Sequence, residues 1–170
     1  MRVFYGAAIQ GTKDRAERAH VHKRLIKIIK EEGHEVVSEH LKGRNKEETA
    51  KLLEKSLGPL PPSGIERKIR IRKKLLEYLE GNIDAAVFEC SIPSLGTGIE
   101  LSHAYLRPRK GLDEIPILGL YEEFYWSSGL SSMVAGISPE EIPAFNLEVY
   151  KNLEDAENYV RRFLRRISLR

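Results

Sequence analysis

Hydrophobic and polar positions along the chain fall into blocks whose period switches repeatedly between the strand value and the helix value. The run "RVFYGAAI" (2–9) is short, β-rich and closes on small residues, which predicts a first strand. After a loop over 10–14, Ala19, Leu25, Ile26, Ile28 and Ile29 recur near the helical period and predict a helix that stops at Gly33. "HEVVSEHL" (34–41) predicts a second strand, and "NKEETAKLLEKSL" a short helix capped by Asn45. "GPLPPSG" (58–64) fits neither period and marks a crossing loop. A basic helix over 65–80 and a buried strand "IDAAVFEC" (83–90) follow, then a helix "GIELSHAYLR" that ends before Pro108. "IPILGLYE" predicts a fourth strand, and "FYWSSGLSSMVAG" a loop leading into a short helix. "FNLEVYK" predicts a last strand and "LEDAENYVRRFLRRI" a terminal helix.

Strands that alternate with helices through short turns imply an α/β fold: an open parallel sheet with helices on both faces, a three-layer sandwich of Rossmann or flavodoxin type. A chain of 170 residues suits one domain, expected to span 1–170. In such sheets ligands bind beyond the carboxyl ends of the strands. The ends of strand one (8–11), strand two (39–40) and strand three (90–98) should therefore share a rim.

Composition narrows the class. Hydrophobic residues at 41% and charged residues at 31% describe a soluble globular protein, and no apolar run reaches bilayer-spanning length. The apolar stretch in "MRVFYGAAIQG" is too brief for a signal peptide. Cys90 is the single cysteine, which excludes an internal disulfide framework and a Cys-rich metal site, so a cytoplasmic protein is expected. A net charge of +3 is too small to imply a nucleic-acid partner, and no membrane partner is expected. The five histidines lack metal-ligand spacing, with His20 and His22 facing apart on a helix. No metal or organic cofactor is implied.

The chemistry concentrates in "ECSIPSLGTGIEL" (89–101). Ser94, Gly96, Thr97 and Gly98 offer hydroxyls and backbone N–H groups at a helix start, where an anion such as phosphate is favoured. No lysine follows, so this is not the loop of nucleotide triphosphatases. Glu100, expected in the first helical turn, has two readings. It complements the helix dipole, worth about 0.3–1 kcal/mol, or it is the working carboxylate beside an anion site.

The segments "VFYGAAIQG", "SEHL", "DAAVFECSIPSLGTGIELSHAY", "IPILGLY" and "GLSSMVAG" resemble, in order and spacing, the nucleoside 2-deoxyribosyltransferase superfamily, most of all its 2′-deoxynucleoside 5′-phosphate N-hydrolase branch. The resemblance covers most of residues 2–136 and is sharpest at "PSLGTGIEL". It implies that Glu100 is the nucleophile at C1′ of the deoxyribose. It implies that Ser94, Gly96, Gly98 and Ser131 hold the 5′-phosphate, with Ser131 and Met133 contributed by a neighbouring subunit. His40 and Ile9 would line the base pocket, and Gln10 and Gly11 would also contact substrate. The implied partners are a deoxynucleotide or nucleoside substrate and a second copy of the chain in a homodimer.

The residue types suit the chemistry independently. Breaking an N-glycosidic bond builds positive charge on the sugar, and a carboxylate beneath C1′ stabilises it or bonds to it, as in retaining glycosidases. Departures from the family pattern are equally specific. Leu75 falls where the family carries an aspartate, Ala8 and Gln10 fall where the branch has a serine and an arginine, and Phe4 replaces a tyrosine. Lys13 and Arg15 could restore phosphate charge, and Glu89 could supply a second carboxylate. The expected activity is hydrolysis of 2′-deoxynucleoside 5′-monophosphates to base and 2-deoxyribose 5-phosphate. Deoxyribosyl transfer between bases is the nearest alternative, and a nucleotide-binding module that has lost catalysis is an alternative of another class.

Overall fold

A computed structural model describes residues 1–8, 15–125 and 130–169. Five strands, β1 (Arg2–Ala7), β2 (Glu35–Val36), β3 (Ala85–Glu89), β4 (Ile117–Glu122) and β5 (Phe145–Tyr150), form one all-parallel sheet in the order β2-β1-β3-β4-β5. Six α-helices accompany it among the described residues: α1 (Arg15–Glu31), α2 (Lys46–Leu57), α3 (Gly64–Glu80), α4 (Leu95–Tyr105), α5 (Ser132–Ala135) and α6 (Leu153–Ser168).

Alternation along the strands sends side chains to two cores. Val3, Tyr5, Val87 and Leu120 pack with Leu25 and Ile29 of α1 and Val160 and Leu164 of α6. Phe4, Ala86, Phe88 and Ile117 pack on the other face with Leu79 of α3 and Leu101 and Ala104 of α4. The three-layer α/β sandwich is therefore as the sequence implies. Strand order reverses beside β1, with β2 on one side and β3 on the other, so the carboxyl ends of β1 and β3 flank the switch-point crevice.

Local chemistry explains the element ends. Gly33, at φ 83°, closes α1 by donating its N–H to the Lys30 carbonyl (3.0 Å), while the His34 N–H reaches the Ile29 carbonyl (3.2 Å). Asn45 caps α2 by accepting from the Glu48 N–H at 2.8 Å. Two expectations change. The second strand is only two residues long, because the Ser38 hydroxyl accepts from the Tyr5 N–H (2.8 Å) and donates to the Tyr5 carbonyl (2.6 Å). With Tyr5 satisfied by a side chain, the backbone leaves the sheet into a 3-10 turn over Glu39–Lys42, which carries His40.

The fourth helix also begins earlier than its apolar pattern suggests. Ser94 is its N-cap, with its hydroxyl oxygen accepting from the Thr97 N–H at 3.3 Å. Gly96, Thr97 and Gly98 are thus helical, and Glu100 sits in the second turn. A dipole-complementing role in the first turn is excluded, since that turn holds no acid.

Candidate active site

Thr97, Leu101 and Ala104 form the buried stripe of α4, at the spacing of a helix packed on a sheet. This face lies across β1 and β3 and brings Glu100 over the end of β1. Gly6 makes the approach possible: a Cβ there would lie 2.4 Å from the Phe88 ring and 3.3 Å from Glu100 Oε2.

Glu100 opens into a cavity of about 620 Å³ at the carboxyl rim of the sheet. Ser94, Gly96, Thr97 and His40 line it, as does Leu75 from α3. Glu100, Ser94, Gly96, Thr97 and His40, all singled out by sequence, are therefore together. Gly98, Ser131 and Met133 line a second cavity of about 550 Å³ on the other side of the α4 N-terminus, where Ser94 and Thr97 contribute to both. Ile9, Gln10, Gly11 and Lys13, and the side chain of Arg15, lie outside the described residues.

Desolvation dominates the electrostatics. Burial raises Glu100 from 4.5 to about 7, so near neutral pH its carboxyl exchanges protons readily. Burial lowers His40 to about 4, leaving the imidazole neutral, with a buried Nδ1 that has no hydrogen-bond partner among the described residues. The Thr97 hydroxyl is a second buried group without a hydrogen-bond partner among the described residues. Buried polar atoms are nearly always satisfied, so two orphans in one cavity mark a place for a polar ligand.

Glu89 is engaged elsewhere. It ends β3 on the α1/α6 face, where Arg18 Nη2 lies 2.6 Å from its Oε2 and the Tyr150 hydroxyl donates to its Oε1 at 3.1 Å. The Ser91 N–H and hydroxyl also donate to Oε1, and Arg18 Nη1 reaches Glu122 at 2.7 Å. This cluster joins the ends of β3, β4 and β5 and fixes the start of the loop that leads to Ser94. His103 pairs through Nδ1 with Glu80 at 2.7 Å. Cys90 is buried, and burial raises its thiol well above the usual range.

Sequence reasoning missed the outer wall. Lys46, Thr49, Ala50 and Leu53 of α2 and Arg67 and Ile71 of α3 complete the cavity. Arg67 hydrogen-bonds to the Pro61 carbonyl (2.7 Å) and Glu54 (3.0 Å). The basic run "ERKIRIRKK" reads as a solvated face, and nothing in its period distinguishes the one guanidinium that turns inward.

Fold and site together define a parallel α/β protein with a carboxylate and a helix N-terminus meeting at the switch-point crevice. No protein-family model matches the chain. Over 156 residues, 92% of this chain and 90% of the other, it is 29% identical to a Thermofilum pendens protein named "Putative 2'-deoxynucleoside 5'-phosphate N-hydrolase 1".

Proposed function

We propose that the protein hydrolyses the N-glycosidic bond of 2′-deoxynucleoside 5′-monophosphates, with Glu100 as nucleophile. The observation that carries this reading is the Glu100 carboxylate one helical turn from the Ser94-capped N-terminus of α4, in one cavity. The similarity to the Thermofilum protein and its name support the hydrolase class. In the proposed reaction a Glu100 oxygen attacks C1′, and the C–N bond breaks with its electron pair leaving on the base, which takes a proton from water. A second water then attacks C1′ of the glycosyl ester and gives its proton to the hydroxide left by the first, releasing 2-deoxyribose 5-phosphate and the free carboxylate.

Ser94 and Gly96 would bind the phosphate and His40 the base. Gly98 would also serve the phosphate, and Ser131 and Met133 would act across a homodimer interface. Leu95 and Met133, 91% and 77% exposed beside the second cavity, are apolar surface that a second copy would cover. Incubation of each deoxynucleoside monophosphate with the protein, followed by chromatography for free base, tests the reading. Release that requires an added acceptor base would assign deoxyribosyl transfer instead. A second reading, a nucleotide-binding module without catalysis, is favoured by Leu75, which brings no proton-transferring group to the cavity. Binding without any base release would select it.

A further inference from the structure

We infer that Thr97 is a further substrate-binding residue, its hydroxyl donating to the phosphate monoester of the substrate. The inference rests on the proposed nucleotide reading and extends it to a residue that the motif resemblance leaves without a role.

Position 97 belongs to the stripe that continues through Leu101 and Ala104, where an apolar side chain would satisfy the packing. A threonine stands there instead, 6% exposed, with its hydroxyl buried and unpartnered among the described residues. Threonine within a helix ordinarily bonds back to a carbonyl of the preceding turn, and this one does not. Such a group is costly to keep in the free protein. Departures from local rules of this kind collect at functional sites.

The surroundings identify the ligand chemistry. The helix is eleven residues long, and the N–H groups of Leu95 and Gly96, its first two residues, have no acceptor within it. The Thr97 N–H is taken by the Ser94 hydroxyl oxygen, and the Gly98 N–H by the Ser94 carbonyl at 3.0 Å. The Ser94 and Thr97 hydroxyls and two backbone N–H groups thus remain to donate. Packing does not demand the glycines: a Cβ at Gly96 would meet nothing nearer than Ser94 Oγ at 3.7 Å, and one at Gly98 nothing within 4 Å. Each costs helix stability relative to alanine; Gly96 leaves space in the Glu100 cavity, and Gly98 leaves it in the cavity on the other side of the helix start. A cluster of donors at the positive end of a helix is satisfied by a group that only accepts, which a phosphate monoester is. A sugar hydroxyl would satisfy Thr97 and leave the rest unpaired. Glu100 lies on the same face three residues on, about one helical turn away, so phosphate at Thr97 leaves the sugar beside the carboxylate.

Calorimetry in a Glu100→Gln background, which prevents turnover, separates the possibilities. Thr97→Val should weaken binding of deoxynucleoside 5′-monophosphates by about tenfold or more, as expected for a hydrogen bond to a charged group. It should leave unphosphorylated deoxynucleosides unaffected. The same change should raise the melting temperature of the ligand-free protein, because it removes a buried unpaired hydroxyl. Thr97→Ser should restore the affinity, and Thr97→Ala repeats the binding comparison if the valine protein does not fold. Unchanged monophosphate affinity in Thr97→Val, or an equal loss for nucleosides, overturns the assignment of Thr97 and leaves the proposed activity standing. If the protein with Thr97 intact binds nucleosides and monophosphates equally, the inference and the monophosphate reading fall together.

Discussion

Leu75 of α3 and Glu100 of α4 line the same cavity, so an aliphatic side chain shares the enclosure with the one carboxylate among its described lining residues. A second carboxylate at 75 would supply a proton-handling group of the sort worth roughly 10²–10⁴-fold in general acid–base catalysis. Leu75→Asp is expected to raise base release at least about tenfold, measured as initial rate at saturating deoxynucleotide. No base release from either protein, with binding intact, would favour the non-catalytic module.

Activity should follow the ionisation of Glu100. In the proposed reaction the attacking form is the carboxylate, and burial raises the group to about 7. The rate constant kcat/KM is expected to rise about tenfold per pH unit below 7 and level off above it. A profile flat from pH 5 to 8 would remove Glu100 as the nucleophile.

Stability should respond to the same group with the opposite sign. Its pKa is raised from 4.5 to about 7, so between those values the folded chain holds a proton that the unfolded chain has lost. Folding is therefore weakened progressively as pH rises from about 4.5 to 7, and the full penalty persists above 7. Glu100→Gln removes this dependence. The variant should melt higher than wild type at pH 8, with a much smaller difference at pH 5, while releasing no base. Thermal melts at the two pH values check the sign.

Arg18 and Glu89 should act as a structural unit. Arg18→Met leaves the Glu89 carboxylate buried without its cation and should cost about 3–5 kcal/mol, read from urea unfolding. Glu89→Gln added to Arg18→Met should recover much of that loss, since no unpaired charge then remains. Additive losses in the double variant would show that the two residues are not coupled.

The layer order was legible because buried parallel strands and amphipathic helices carry different periods, and every helix but the fourth begins within about one residue of its pattern where it is described. The fourth differs because Gly96 and Thr97 read as loop residues by composition, whereas the Ser94 cap makes them helical. The short second strand was hidden for a similar reason: Val36 and Val37 have strand character, but a hydroxyl at 38 ends the pairing. At the site, Glu100, Ser94, Gly96 and His40 were legible as a local motif and a strand-end position. Arg67 and Lys46 were not, because which face of a basic helix turns inward depends on tertiary packing. The engagement of Glu89 by Arg18 joins residues 71 positions apart and leaves no local trace.

The outer wall of the cavity is built differently from its floor. The floor is a strand end and a helix laid directly on the sheet, whereas α2 rests chiefly on the 3-10 turn and α3. The free energy needed to expose its amides is therefore set by those few contacts and not by the central strands. In hydrogen exchange, α2 should exchange through openings that leave β1 and β3 protected. Access to the Glu100 carboxylate can then be renewed many times within the lifetime of one folded molecule.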